Sequence, residues 1–92
     1  MPDPDPKRVR SVLRGVLEAQ ISKGDPPETR ETFDRLVASG IPSSEAWRLL
    51  SVALMCELFD VLKDERTFDL ERYVTMLKAL PKVPAELAEE EE

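Results

Sequence analysis

A chain of 92 residues with 41% hydrophobic content holds one modest core and not two. One cysteine and no histidine exclude an internal disulfide and any Ser-His or Cys-His catalytic pairing, and they disfavour zinc, copper or haem sites built on those residues. The net charge of −6 disfavours nucleic acid and anionic lipid as partners. The charge is uneven, because residues 1–24 hold five basic residues against three acidic ones and the negative excess lies beyond them.

The opening Met1-Pro2-Asp3-Pro4-Asp5-Pro6 has no strand or helix pattern and no signal-peptide apolar region, so residues 1–5 are expected to form a flexible arm. With no apolar run of bilayer length, the expected location is cytoplasmic, without a membrane partner. A first helix is expected over 6–23, with Pro6 at its first position and Val9, Val12, Leu13, Val16, Leu17 and Ile21 on one face, closed by Gly24. Asp25-Pro26-Pro27-Glu28 signals a second start, with Asp25 as cap, for a helix over 26–39. Phe33, Leu36 and Val37 form its inner face, and Gly40-Ile41 a Schellman-type end.

A third helix over 44–63, capped by Ser43 or Ser44, has Ala46, Leu49, Leu50, Ala53, Leu54, Leu58, Val61 and Leu62 as its periodic set. Trp47, Val52, Met55, Cys56 and Phe59 widen its apolar surface past one stripe, which predicts a central position or a face shared with a second subunit. On this reading Cys56 is a small buried hydrophobe, and an Asp at Leu54 or Leu58 abolishes cooperative unfolding. Asp69 caps a fourth helix over 69–80, with Phe68 and Tyr73 as a hydrophobic staple and Pro81 and Pro84 beyond its end. The fold class is therefore all-α: a four-helix domain over 6–81, helix 3 central, followed by an acidic, disordered tail at 82–92.

On the third helix Glu57, Asp60 and Asp64 form a narrow acidic ridge, and on the first Lys7, Arg10 and Arg14 form a basic edge. The simplest reading makes the ridge a solvated face or the partner of that edge. A second reading makes the carboxylates ligands for Mg²⁺, a hard cation that takes oxygen donors. Glu57-Leu58-Phe59-Asp60, with Glu28-Thr29-Arg30-Glu31 as the other half, resembles the metal-binding pattern of MazG-type nucleotide pyrophosphohydrolases. That resemblance implies Mg²⁺ held by Glu28, Glu31, Glu57 and Asp60 beside a nucleoside triphosphate; capping already accounts for Glu28. A third reading takes Arg35 through Ala46 as the outline of a helix-turn-helix, with Arg48 available to DNA. The same glycine-apolar turn loosely resembles ubiquitin-associated three-helix domains.

Gly24-Asp25-Pro26-Pro27-Glu28, Phe33-Asp34-Arg35-Leu36, Gly40-Ile41 with Glu45-Ala46, Phe68-Asp69 with Arg72-Tyr73, and Leu77 through Pro81 form an ordered set of caps and apolar anchors. Over about residues 24–84 that set resembles a group of short, uncharacterised bacterial all-helical proteins, which implies a helical domain and no catalytic residue. The functional expectation is an interaction or accessory module without catalytic activity or cofactor. Trp47, Met55 and Phe59 form its contact surface, for another protein or for a second copy in a weak homodimer.

Overall fold

The computed structural model describes residues 6–82; the arm expected at 1–5 and all of the expected tail except Lys82 lie outside them. Four helices follow in order: α1 (Pro6–Lys23), α2 (Pro27–Ala38), α3 (Ser43–Asp64) and α4 (Leu70–Ala79). There is no strand among the described residues.

Each helix exists because an apolar face recurs at helical spacing and finds a partner. α1 buries Leu13 and Leu17, α2 buries Leu36, α4 buries Tyr73 and Leu77, and all of these meet Leu49, Leu50, Ala53 and Leu54 of α3. α3 packs against each of the other three helices, as expected of a hub. Burial of a large apolar side chain contributes about 1.5–3 kcal/mol, so this one cluster holds most of the favourable energy of folding.

The helix ends show how the chain turns back on itself. At the end of α1 the Gly24 and Asp25 amides donate to the carbonyls of Ile21 and Gln20, and at the end of α2 those of Gly40 and Ile41 donate to Val37 and Leu36. These are complete Schellman closures, with both glycines at positive φ. α3 closes in a related way without glycine: Glu65 takes φ 51°, and its amide and that of Arg66 both donate to the Val61 carbonyl. Because Cβ is disfavoured in the left-handed region, Glu65→Gly is expected to raise stability by about 0.5–1 kcal/mol. Thermal denaturation of the pair checks this.

Several local expectations are corrected. α2 begins one residue later than expected, with Pro26 at the N-cap position and no side-chain cap, so Asp25 lies outside the helix. Pro42 likewise precedes α3, which takes both Ser43 and Ser44 into its first turn. Asp69 does cap α4, accepting from the Arg72 amide at 3.2 Å, and Phe68 meets Tyr73 edge-on at 5.5 Å. The inner face of α2 is Thr29, Thr32 and Leu36, while Val37 is exposed. On α3, Leu58 and Leu62 point outward and Cys56 is half-buried.

Two polar contacts fasten the apolar layers. The Gln20 side-chain oxygen accepts from the Thr29 hydroxyl at 2.7 Å and the Tyr73 hydroxyl at 2.9 Å, tying α1, α2 and α4 together. Burial raises the Tyr73 phenol above its usual pKa, against a smaller lowering by these hydrogen bonds. Gln20→Leu removes the acceptor shared by two buried hydroxyls, which stay within reach of each other, whereas Tyr73→Phe removes one donor, so the expected losses are about 1–3 and about 1 kcal/mol. Urea unfolding of the two variants gives the ratio. Elsewhere the Arg35 guanidinium donates to the Leu80 carbonyl at 2.8 Å and the Leu77 carbonyl at 3.1 Å, satisfying the end of α4 from α2.

Candidate functional site

On the acidic ridge of α3, Glu57 and Asp60 share the arginines Arg66 and Arg72, while Asp64 is exposed. Glu57 follows Leu50 and Leu54 on the inward register and is completely buried. A carboxylate there needs several donors. Arg66 supplies two, 2.7 Å to one oxygen and 3.1 Å to the other, and the Asp69 amide gives a third at 2.8 Å. Arg72 stands 3.9 Å away and also pairs with Asp60. Hydrogen bonding from Arg66 holds the Glu57 carboxyl below the usual glutamate pKa, helped by the Asp69 amide and the charges of Arg66 and Arg72, and opposed by burial. Glu57 therefore acts on α4 from a neighbouring helix much as a capping side chain acts within one, fixing the start of α4 through an amide and two guanidinium groups.

Glu57 and Asp60 pair with Arg66 and Arg72, neither of which belongs to the basic edge of α1. Arg14 of that edge lies instead over the Trp47 ring at 3.8 Å, with Glu18 also 3.8 Å away. The structure also does not gather Glu28, Glu31, Glu57 and Asp60. Among the described residues no three His, Cys, Asp or Glu side chains converge as a metal-binding group. Glu31 is exposed on α2, and Glu28 is half-buried in its first turn.

The three apolar candidates on α3 also separate. Trp47 is half-buried, packed 5.0 Å from the Phe33 ring and beneath Arg14. It borders a shallow groove of about 370 Å³ with Ile21 and Phe33, whose charged rim includes Arg30 and Asp34, 3.7 Å apart. Met55 and Phe59 lie on the helix face away from the core, 47% and 66% exposed, with Leu62 beside them at 80%. The structure therefore keeps Met55 and Phe59 together, leaves Trp47 out, and adds Leu62 with the more sheltered Leu58. These residues stand at i, i+3, i+4 and i+7, one continuous stripe over two turns.

Arg48, the candidate for contact with DNA, is held by Glu45 through two hydrogen bonds of 2.7 and 2.8 Å. That pairing lowers the Glu45 pKa. Sequence reasoning assigns Arg66, Arg72, Gln20 and Arg35 none of the contacts they make here. An acid in register with Leu50 and Leu54 demands cations, but local spacing does not say which arginines the chain returns to it. No described helix is long and apolar enough to cross a membrane. Comparison of the chain with protein-family models, curated proteins and solved structures finds no match.

Proposed function

We propose that this protein is an interaction module whose contact surface is the outer face of α3, centred on Met55, Phe59 and Leu62. One observation carries the reading: three large apolar side chains lie together on the side of the hub helix that faces away from the core. Single exposed hydrophobes are ordinary on any surface. A contiguous helical stripe that includes an exposed phenylalanine is the usual composition of an interface centre. The carboxylates that suggested metal chemistry support the same reading, since Glu57 and Asp60 are already engaged in holding α4.

A photoreactive phenylalanine analogue at Phe59, compared with one at Arg30 on the opposite side of the hub, tests the reading inside cells. A discrete adduct is expected from position 59 and none from position 30. If position 59 yields no adduct of any mass, the proposal fails. Because Phe59 contributes little to the core, Phe59→Ser is expected to shift stability by no more than about 0.5 kcal/mol, a result that thermal denaturation checks.

A further inference from the structure

We infer that the chain's own C-terminal segment, residues 83–92, covers a strongly basic end of the bundle by laying its glutamates against the first two turns of α1. The contact is separate from the α3 stripe, which lies in the second half of that helix.

The fold sorts charge along its length. Gln20 accepts from Thr29 and Tyr73, so α1, α2 and α4 meet at one level there. From that level α2 runs through Phe33, which shares Trp47 with Arg14 of α1, to Arg35, which reaches the carbonyls at the end of α4. The first halves of α1 and α3 and the second halves of α2 and α4 therefore lie together at one end of the bundle. Divided at the helix midpoints, that end holds eight Lys or Arg against two acids, Asp34 and Glu45, and the other end holds five against ten. A body polarised in this way draws an acidic segment to one end and repels it from the other. α1 contributes most to the basic end: Lys7, Arg8 and Arg10 stand near the positive end of its dipole, with no acid in the first turn. Arg8 and Arg10 are exposed, and neither has an ion-pair partner among the described residues.

The segment after Lys82 carries the opposite charge and leaves the body at this same end. It has five glutamates, Glu86 and Glu89 through Glu92, and no base. Lys82 is fastened to the end of α4, its amide donating to the Ala79 carbonyl at 3.0 Å. α1 and α4 both pack on α2 and α3, so their axes stand one diagonal apart, roughly 11–14 Å for helices packed at ordinary spacing. Glu89 and Glu92 lie seven and ten positions beyond Lys82, a reach of roughly 23–35 Å when extended. The run of glutamates thus spans the distance to Arg8 and Arg10. Asp3 and Asp5 precede α1 in the chain, and two acids leave most of the positive excess uncovered.

Paramagnetic NMR of the full chain tests the contact. A nitroxide at Ala88→Cys, in a Cys56→Ser background, is expected to weaken the amide signals of residues 7–14 by about half or more at low ionic strength, because a tethered segment meets its site at high effective concentration. Signals of residues 57–66, at the opposite end, should keep their strength. Salt at about 0.5 M should restore residues 7–14, as should Arg8→Gln with Arg10→Gln, or Glu89→Gln, Glu90→Gln, Glu91→Gln and Glu92→Gln together. A second measurement needs no change of cysteine: the amide shifts of residues 7–14 should differ between the parent and the chain with those four glutamines, while those of 57–66 coincide. Even weakening over the whole body, or none, overturns the inference, as do identical α1 shifts in the two chains. Mixing the spin-labelled chain with an isotope-enriched, unlabelled one identifies the source. Weakening of residues 7–14 in that mixture would give the place to a second copy and would equally overturn it.

Discussion

Leu54→Asp is expected to abolish cooperative thermal unfolding, while Leu58→Asp, one turn along the same helix, should melt within about 1 kcal/mol of the parent. Leu54 is 2% exposed at the centre of α3, where residues of the other helices meet. Replacing it forfeits about 1.5–3 kcal/mol of apolar burial and sets a carboxylate in a site with no cation provided, at a cost of several kcal/mol more. A domain of this size is stable by about 5–15 kcal/mol in total, so most or all of that margin is consumed. Leu58 is on the solvent side of the helix, where an aspartate keeps its water. Differential scanning calorimetry distinguishes the two cases. A Leu54→Asp protein with an unchanged transition would remove α3 from its place at the hub, and an equal loss at Leu58 would make Leu58 part of the core.

That contrast marks what the sequence alone discloses. The four helices were legible because glycine and proline punctuate the chain: Gly24 and Gly40 close α1 and α2, and Pro27 opens α2. The rotation of α3 was not legible, because apolar residues surround it on nearly every side and helical spacing then fits several inward faces equally well. The face the fold selects includes the small Ala46 and Ala53 and an acid, Glu57, and leaves Phe59 and Leu62 in solvent. Small residues face inward because neighbouring helices must approach closely there. Glu57 can face inward only because Arg66 and Arg72 lie 9 and 15 positions downstream and are returned to it by the turn at Glu65. Such an arrangement depends on tertiary return of the chain, which local periodicity does not encode. The same limit explains why Glu57 and Asp60 suggested a metal site: their spacing is visible in sequence, and their engagement by arginines is not.

Neutralising Glu57 separates those two meanings by the sign of its effect. In the structure the carboxylate accepts three hydrogen bonds, two of them from a guanidinium group, and Glu57→Gln discards the charge that makes them strong while leaving Arg66 and Arg72 in place. The expected loss at pH 7 is about 2–4 kcal/mol, or roughly 10–25 °C in melting temperature for a domain of this length. The loss should depend on pH in one direction. Because Arg66 and the Asp69 amide hold the folded pKa below the usual glutamate value, the unfolded chain takes up the proton more readily. The stabilisation is then complete above the ordinary glutamate range and is lost as pH falls through the folded pKa. Parent and Glu57→Gln melting temperatures should therefore converge on acidification. A carboxylate set aside for a cation behaves in the opposite way, since without its ion it repels its neighbours and neutralising it raises the melting temperature. A gain in stability for metal-free Glu57→Gln at pH 7 would reverse the assignment of Glu57 as the anchor of α4, and a loss that fades in acid would confirm it.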